Sequence, residues 1–206
     1  MHGPTIRLVR PGLWEDASDI LRIYTPFVQN TPVTFEYDVP RLEDFTHRIE
    51  TVASVYPYLV CEHHGIVTAY AYASRHMERA AFGWDVQTSI YAEPEARGTA
   101  VPRTLYAALF DLLVELGYYN AYVIITLPNP RSVRFHEAAG FAQAGVHHKT
   151  GYKGGKWHDV VWMEKSLAPH CGAPTPPRPV SALDPDVCRD VFARRSLECR
   201  AFEKNG

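Results

Sequence analysis

The segment 93–102 is rich in turn-forming residues and lies between an alternating, strand-like run at 82–91 and a stretch with helical spacing at 103–116. A loop that enters a helix beside the end of a strand presents free backbone N–H groups and the positive end of the helix dipole, which together bind anions. Arg97 and Arg103 add two cations to this region. We therefore predict that a phosphorylated cofactor binds at this helix N-terminus.

Two further stretches carry side chains suited to proton transfer. In the strand-like run, Asp85 and Gln87 lie on one face about 7 Å apart, and only the carboxylate accepts a proton in the useful pH range. His136 lies in a short helix predicted at 129–139, for which Asn129 fits the N-cap. Asp85 is also interpretable as a hydrated acid at a strand end, and His136 as an ordinary helix residue.

Three histidines near the C-terminal part of the chain raise the question of a metal site. His147 and His148 adjoin each other, and His158 is followed by Asp159. Neighbouring residues of a strand point to opposite faces, so the adjacent histidines do not share a ligand cluster. We predict that the protein holds no metal ion.

The elements that must position these residues follow from the hydrophobic pattern. Strands are predicted at 6–10, 56–62, 66–74, 82–91, 121–127, 141–149 and 156–165. Helices are predicted at 14–28, 41–53, 103–116 and 129–139. We expect Pro26 to kink or shorten the first helix. The strand–helix–strand unit from 82 to 127 makes its two strands parallel neighbours, and the order of elements predicts an α+β fold.

The composition changes at Ala168, where a proline-rich stretch begins. This stretch predicts an extended linker, and Asp184 followed by Pro185 fits the start of a helix. We divide the chain into a main domain at 1–167, a linker at 168–184 and a helical tail at 185–206. The tail carries no evident chemistry. We interpret it as an appendage that docks, oligomerises or floats, whose removal leaves the melting temperature similar.

The bulk composition excludes several classes of protein. A chain of 206 residues with 46% apolar residues buries one good core. A formal net charge of −2 provides no basic field for nucleic acid. The four cysteines form no CxxC pair, and no apolar run reaches membrane-spanning length. We expect a soluble, cytoplasmic protein with no nucleic-acid or membrane partner.

Several short motifs resemble one known family. They are Thr34-Phe35-Glu36, Arg79 through Tyr91, Leu127-Pro128-Asn129-Pro130, His136-Glu137-Ala138 and Trp157-His158-Asp159. Together they make residues 5–167 similar to the GNAT superfamily of N-acetyltransferases, and more narrowly to its phosphinothricin and methionine sulfoximine acetyltransferase branch. The resemblance implies an α/β/α sandwich around a mostly antiparallel sheet of about seven strands, in which the fourth and fifth strands splay apart. It also implies acetyl-CoA as donor, a small amino-acid-like amine as acceptor, and a homodimer.

The resemblance also implies roles for individual residues. Cofactor contacts are expected from Ile90, Tyr91, Arg97, Gly98, Thr99, Ala100, Val101, Arg103, Thr104, Asn129 and Ser132. A backbone N–H near Ile90 or Tyr91 is expected to stabilise the tetrahedral oxyanion, and His136 to protonate the departing thiolate. Acceptor contacts are expected from Phe35, Arg79, Trp84 and Trp157. Aromatic residues at such spacing also occur in ordinary cores, and Trp157 equally fits a dimer contact.

The chain departs from the family pattern at two places. Ala100 and Pro102 replace two customary glycines of the pyrophosphate loop, and Pro102 offers no N–H. Loss of one donor and a forced positive φ at Ala100 are expected to weaken acetyl-CoA binding about ten- to a thousandfold, at ~1.4 kcal/mol per decade. Alternatively, Pro102 is the ordinary first residue of a helix. Gln87 stands where the family usually has a glutamate base, for which Asp85 or a Gln87-held water is the substitute.

Two functional hypotheses follow from these motifs. The first is an acetyl-CoA-dependent N-acetyltransferase for a small amino acid or an analogue, which the intact motifs around Asn129, His136 and Trp157 favour. The second is a catalytically degenerate member of the same fold that serves as a ligand-binding or interaction module. The departures at Gln87 and at the cofactor loop favour the second. Binding of acetyl-CoA discriminates between them.

Overall fold

A computed structural model of the protein describes residues 3–10, 12 and 14–203, with side chains described up to residue 200. Within them, the strands are β1 (Thr5–Leu8), β2 (Tyr58–His63), β3 (Ile66–Arg75), β4 (Asp85–Ala92), β5 (Asn120–Thr126), β6 (Ala142–Lys153) and β7 (Lys156–Ser166). The α-helices are α1 (Trp14–Asn30), α2 (Leu42–Ala53), α3 (Ala100–Glu115), α4 (Pro130–Ala138) and α5 (Pro185–Glu203). Short 3₁₀ turns occur at Ala80–Phe82, Pro94–Ala96 and Val180–Ala182.

The seven strands form one mixed sheet in the order β1-β2-β3-β4-β5-β7-β6. Only β4 and β5 are parallel, and they pair solely through Asp85–Gln87 and Asn120–Tyr122. Beyond Gln87, β4 continues to pair with β3 as far as Ala92, while β5 pairs with β7. The two strands therefore diverge from a common base. The predicted mixed sheet and the splay of its fourth and fifth strands are confirmed.

Helices cover both faces of the sheet, as the sandwich prediction requires. On one face, α1 and α2 bury Ile20 and Phe45 against Val60 and Tyr70. On the other face, α3 contributes a row of fully buried leucines to a larger core that contains Leu59, Ala71, Val86, Leu105, Leu109 and Leu112. The alternation of side chains along each strand separates these two cores.

Several element boundaries differ from the sequence prediction. Helix α1 continues through Pro26 to Asn30, because apolar residues on both sides of the proline, Tyr24 and Val28, are buried against the sheet. β4 begins only at Asp85, since a 3₁₀ turn precedes it. The turn of the last hairpin is confined to Gly154 and Gly155, which have φ of 61° and 78°. Two successive residues with positive φ fit the tight hairpin turn that glycine favours.

The C-terminal helix is part of the same packed body. Val191 and Cys199 of α5 are buried in the larger core, and Ser196 Oγ accepts a hydrogen bond from the Ile6 backbone N–H at 3.0 Å. Arg195 donates two hydrogen bonds to the carboxylate of Asp111 on α3. The described part of the tail therefore docks on the main domain, which is one of the three alternatives that the sequence left open. Residues 204–206 of the predicted tail lie outside the described residues.

The linker is also fixed to the main body rather than free. The Arg178 backbone N–H donates to the Leu116 carbonyl at 2.9 Å, and its guanidinium donates to the Glu115 carbonyl at 2.6 Å. These bonds satisfy carbonyl groups at the C-terminal end of α3 that have no partner within the helix. The extended linker thus caps the helix whose N-terminus faces the candidate site.

Candidate active site

A slot opens where β4 and β5 diverge, and the start of α4 closes one side of it. Its cavity of about 70 Å³ is lined mainly by β4 and β5, with three residues of the α4 region: Asn129, Ser132 and His136. Gln87, Ser89 and Tyr91 form the β4 wall, and Val33 closes the side nearest to α1. The slot therefore contains residues from both stretches that were predicted to carry proton chemistry.

The β4 wall of the slot has a backbone edge without a neighbouring strand. β4 pairs with β5 only up to Gln87, so the edge of residues 88–92 that faces β5 carries backbone groups outside any ladder. Such groups need polar partners when water is excluded. Ile90 and Tyr91, the predicted oxyanion positions, lie on this part of the strand. The arrangement suits an extended ligand that enters the slot and hydrogen-bonds along the strand edge.

The loop that leaves β4 leads into α3, which begins at Ala100 rather than at the predicted Arg103. Thr99 is the N-cap, and its hydroxyl accepts from the Val101 N–H at 3.2 Å. Positive φ in this loop occurs at Gly98, with 84°, whereas Ala100 is a regular helix residue. Pro102 is the third helical residue, a position whose N–H has no intrahelical partner in any case. The expected backbone strain at Ala100 is therefore absent, and Pro102 lies in the first turn of the helix rather than at its first residue.

Two arginines converge on this loop from different elements. The Arg97 guanidinium donates to the Ala92 carbonyl at 2.8 Å and lies 4.8 Å from the centroid of the Phe27 ring. Arg131, exposed on the first turn of α4, approaches Gly98, where a Cβ would lie 3.8 Å from its guanidinium. Burial and the nearby positive charge of Arg131 lower the pKa of Arg97. Two like charges held together beside two helix N-termini form a site for a polyanion.

The first turn of α4 positions His136 in the slot. Asn129 caps the helix by accepting from the Ser132 N–H at 3.2 Å. His136 is 4% exposed, and its Nδ1 lies 2.8 Å from the Ser132 carbonyl oxygen, which accepts only. Nδ1 therefore carries the proton in the neutral ring, and the buried Nε2 has no hydrogen-bond partner in the described structure. Burial lowers the pKa of His136, and the bond to Ser132 opposes this only in part.

Asp85 and Gln87 occupy the base of the slot, where β4 and β5 still pair. Gln87 lies opposite Ser74 of β3 and Tyr122 of β5. Asp85 accepts a hydrogen bond from the Asn120 side chain at 2.8 Å. Since both residues lie on the same face of the strand, water can connect them, as the sequence predicted. Their roles in catalysis stay predictions.

Some residues predicted at the site are directed elsewhere. Thr104 is 2% exposed, and its hydroxyl donates to the Ala100 carbonyl within α3, so the side chain does not reach the slot. Trp84 donates its indole N–H to the Thr175 carbonyl of the linker at 2.7 Å, because an even-numbered residue of this run faces the α3 side. Trp157 is 59% exposed at the hairpin tip and contacts Tyr152 edge to face. None of these three side chains lines the slot, and their predicted contacts with cofactor or acceptor stay predictions.

Phe35, Arg79 and Arg103, three further predicted site residues, do not line the slot. The ring of Phe35 fills the space above Gly151, where any Cβ would collide with it. This contact ties the segment after α1 to the β6–β7 hairpin. Arg79 is exposed in the connection between β3 and β4, and Arg103 is exposed on the first turn of α3. Their proposed contacts with substrate or cofactor stay predictions.

The sequence analysis missed a second cavity, which lies between α1, α2 and the strands β2 and β3. It measures about 230 Å³ and is lined by Tyr24, Glu36, Phe45, Arg48, Ile49, Val52, Tyr58, Tyr70, Tyr72 and Ser74. Its lining residues come from four elements and from the loop between α1 and α2. They share no spacing in the sequence, so no sequence motif predicted the cavity. The only sequence signal was Glu36, the last residue of the Thr34-Phe35-Glu36 motif.

The histidines that raised the question of a metal are separated in the structure. His148 lies 3.1 Å from a carboxylate oxygen of Asp159, while His158 is buried and hydrogen-bonds the Lys153 carbonyl at 3.0 Å. His147 instead packs against Trp162. Across the described residues, no group of three or more His, Cys, Asp or Glu side chains is arranged to hold a metal ion. None of the described helices is long and apolar enough to cross a membrane.

Sequence comparison identifies the class of protein that this fold and slot define. A family model described as an acetyltransferase (GNAT) domain matches residues 6–162. The chain therefore belongs to the GNAT acetyltransferase family, which confirms the resemblance seen in its motifs.

Individual relatives narrow the similarity to one branch. The chain is 31% identical over 172 residues to the phosphinothricin N-acetyltransferase of Streptomyces viridochromogenes, covering 84% of this chain and 92% of that protein. It is 31% identical over 115 residues to the L-methionine sulfoximine/L-methionine sulfone acetyltransferase of Salmonella typhimurium, covering 56% and 67%. A crystal structure of the Sinorhizobium meliloti phosphinothricin acetyltransferase in complex with acetyl-CoA is similar at a TM-score of 0.75 and 32% identity, over 90% of this chain and 97% of that one.

Proposed function

We propose that this protein is an acetyl-CoA-dependent N-acetyltransferase that acts on the amino group of a small amino acid or amino-acid analogue. The slot between β4 and β5 carries the proposal, because it joins an unpaired strand edge to the N-termini of α3 and α4. Relatives named for phosphinothricin and methionine sulfoximine acetylation support this substrate class.

In this proposal, each part of the slot has a separate task. Arg97, Arg131 and the N–H groups at the start of α3 hold the pyrophosphate. The free edge of β4 near Ile90 and Tyr91 holds the pantetheine arm and donates an N–H to the developing oxyanion. Acetyl-CoA supplies an activated acetyl thioester, and the acceptor amine attacks its carbonyl carbon from the Gln87 side.

His136 is the proposed proton carrier of the reaction. In the resting tautomer its Nε2 has a lone pair and no proton, so it accepts a proton before it can donate one. The ammonium first loses one proton to bulk solvent through water held by Gln87 or Asp85, and as the resulting amine attacks, its nitrogen passes a second proton to Nε2. When the C–S bond breaks, the same proton moves from Nε2 to the thiolate. This sequence balances without a glutamate at position 87.

The pH dependence of the rate tests this role. Since the pKa of His136 is lowered, the ring stays neutral at pH 7, and the rate should fall only on acidification below the ordinary histidine value of about 6.5. We expect His136→Asn to lower kcat by about 10²–10³-fold and to remove this acid limb. An unchanged acid limb in the variant would assign the titration to another group.

Binding of acetyl-CoA is the first test of the proposed function. Titration calorimetry should give a micromolar Kd for the protein, and Arg131→Gln should weaken binding several-fold. Arg189→Gln is the matched control, because it removes one exposed positive charge on α5. Absence of heat and of any thermal shift at millimolar acetyl-CoA would overturn the proposal.

The second candidate function is a catalytically degenerate ligand-binding module. It is favoured by Gln87, which stands in the slot wall where a carboxylate base is expected. Under the enzyme proposal, Gln87→Glu should raise turnover of methionine sulfoximine with acetyl-CoA. A protein that binds acetyl-CoA but acetylates no amine, with either residue at position 87, would support the module instead.

We further propose a cytoplasmic homodimer. Three exposed aromatic residues support a protein contact at the β6–β7 hairpin: Tyr152 and Trp157 on the hairpin itself, and Tyr37, whose hydroxyl donates to the Tyr152 carbonyl. None of the four cysteines forms a disulfide in the described part of the chain, which suits a reducing compartment. Light scattering of the protein and of Trp157→Ser tests the dimer, which should dissociate in the variant.

A further inference from the structure

We propose that the cavity between α1, α2, β2 and β3 is the side-chain subsite for the acceptor, and that it selects an α-amino acid with a large, uncharged aromatic side chain. This inference rests on the proposed function, since it assigns the acceptor of the same reaction. It names a substrate class within the broad group of amino acids and analogues.

The cavity lies directly beside the slot. Ser74 of β3 lines the cavity and pairs with Gln87 of β4, which lines the slot. Two pairs further along, on the same face of the sheet, Tyr72 hydrogen-bonds the side chain of Ser89. Directly opposed residues of antiparallel strands lie about 5 Å apart. An amino acid whose side chain occupies the cavity therefore brings its α-nitrogen to the edge of the slot.

Aromatic rings form the walls of the cavity. Tyr58 stacks on Tyr72 with ring centroids 4.7 Å apart, and Tyr24 stacks on Phe45 at 5.6 Å. Tyr70 continues the stack towards Tyr91 at 5.1 Å. Flat faces of this kind pack well against another ring. The volume of about 230 Å³ exceeds the ~150 Å³ of an apolar cavity that takes up benzene, so a phenyl or indole group has room.

A pair of opposite charges lies on the cavity wall. Arg48 of α2 forms an ion pair with Glu36, and both side chains remain partly exposed. A zwitterionic amino acid matches this pair, with its carboxylate on the guanidinium and its ammonium on the Glu36 carboxylate. Glu36 is only three residues from Val33, which lines the slot. The segment 33–36 thus runs from the slot to the cavity, and Glu36 orients the ammonium group of the acceptor towards the slot.

The interior of the cavity disfavours a second charge. Burial raises the pKa of both Tyr58 and Tyr70 well above the ordinary value, as expected for a site that solvates anions poorly. An acidic side chain, such as the phosphinate of phosphinothricin, would lose its hydration there while the one arginine of the wall is occupied by the α-carboxylate. An uncharged aromatic group loses little hydration free energy there, and it gains contacts with the tyrosine rings. The tyrosine-lined cavity should therefore make this protein prefer an aromatic amino acid to phosphinothricin as the acceptor.

The test measures thiol release from acetyl-CoA with L-phenylalanine, L-alanine and phosphinothricin as acceptors. We expect kcat/KM for L-phenylalanine to exceed that for either other acceptor at least tenfold. Val52→Trp fills the cavity from α2 and should lower the value for L-phenylalanine at least tenfold, while that for L-alanine changes less than twofold. Thr51→Trp is the matched control, because Thr51 is exposed on the same helix and does not line the cavity.

Calorimetry with L-phenylalanine and the CoA-saturated protein separates the two proposals. Binding that Val52→Trp abolishes and Thr51→Trp preserves supports the subsite, even when no acetylation follows and the proposed function fails. Turnover of phosphinothricin at least as efficient as that of L-phenylalanine overturns the subsite while the proposed function holds. Equal losses for L-phenylalanine and L-alanine in Val52→Trp, or no L-phenylalanine binding, overturn it as well.

Discussion

The two faces of the central sheet differ most clearly along β3. On the α3 side, the strand presents Ala69, Ala71 and Ala73, all fully buried. On the α1–α2 side, Tyr70, Tyr72 and Ser74 alternate with them and line a cavity. One strand therefore builds two different environments, because successive side chains point to opposite faces.

This difference follows from side-chain size. Alanines on the sheet let the leucines of α3 approach closely, and Leu105, Leu109 and Leu112 are fully buried there. On the other face, stacked tyrosine rings hold α1 and α2 away from the strands and leave space between them. The α3 face stabilises the fold, and the α1–α2 face has room for a ligand. Four predictions test this division, in order of decreasing effect.

Removing the linker and tail should disrupt the α3 face most strongly. Truncation after Leu167 exposes the core around Leu183, Val191 and Cys199, each of which is at most 9% exposed in the full chain. At about 1.5–3 kcal/mol for each large apolar side chain, the loss approaches the whole stability of a typical domain. We expect aggregation or loss of cooperative melting, measured by calorimetry. A control that ends at Glu203 should melt like the full chain, and a truncated chain with an unchanged melting temperature would contradict the packing role of α5.

Asp16 anchors α1 to the edge of the sheet through a buried carboxylate. Burial alone would raise the pKa of Asp16, but hydrogen bonds from Arg7 and Arg10 outweigh it and hold the pKa well below its usual range. Asp16→Asn should lower the free energy of unfolding by about 3 kcal/mol at pH 7, because it leaves Arg7 poorly compensated.

The sign of the pH effect makes this prediction specific. A carboxylate with a depressed folded-state pKa stabilises the fold above about pH 4 and loses that contribution as the pH falls further. Denaturant titrations at pH 7 and pH 3 should therefore show a smaller difference between the protein and Asp16→Asn at pH 3. Asp44→Asn, at an exposed ion pair on α2, should match the unchanged protein at both pH values. A difference independent of pH would exclude the carboxylate as its source.

Lys153 should matter for both stability and acceptor binding. Its buried ammonium donates to the Val28 carbonyl at 2.7 Å and to the Thr34 carbonyl at 2.8 Å, which joins the β6–β7 hairpin to the segment that carries Glu36. Lys153→Met leaves both carbonyls unpaired, at a cost of about 1–3 kcal/mol. We expect a higher KM for the acceptor amine with an unchanged Kd for acetyl-CoA. Lys156→Met, at an exposed position of the same hairpin, is the control. Equal changes in the KM for the acceptor and in the Kd for acetyl-CoA would refute a role confined to acceptor binding.

The sequence predicted the slot better than the cavity because of how far apart their residues lie in the chain. β4, α3, β5 and α4 follow one another within 85–138, so hydrophobic periods and cap residues located them and the strand splay followed from the family resemblance. The cavity instead joins Tyr24, Arg48 and Tyr70, whose proximity depends on how two helices cross the sheet. Periodicity carries no information on that crossing.

The long-range partners of some residues could not be predicted for a related reason. Trp84 was expected at the acceptor site, but the indole finds a hydrogen-bond partner at Thr175, ninety-one residues away in the linker. The helix was predicted to start at Arg103, but it begins at Ala100, because a proline in the first turn loses no helical hydrogen bond. The surface on which α5 docks could not be predicted, since its contacts with β1 and α3 are long-range. Local rules were reliable where local interactions decide the structure.

The same substitution on the two faces gives the finest test of the comparison. On the α3 face, the Tyr106 hydroxyl lies 2.6 Å from the hydroxyl of Thr88, and both groups are buried. Tyr106→Phe leaves Thr88 with a weakened set of partners and should cost about 1–2 kcal/mol in the free energy of unfolding. On the other face, Tyr58→Phe keeps the ring stack on Tyr72 and should cost less than about 0.5 kcal/mol.

The two variants should reverse their order when ligand binding is measured. Tyr58 lines the acceptor cavity, so Tyr58→Phe changes a surface that the acceptor touches, whereas Tyr106 faces the leucine core of α3. Denaturant titration of both variants measures the loss of stability, and calorimetry with L-phenylalanine measures the change in affinity. Equal stability losses, or a larger binding change in Tyr106→Phe, would mean that the two faces do not divide the work of folding and binding. If the α3 face serves folding and the α1–α2 face serves binding, the same Tyr→Phe substitution lowers stability mainly in Tyr106→Phe. It then changes the affinity for L-phenylalanine mainly in Tyr58→Phe.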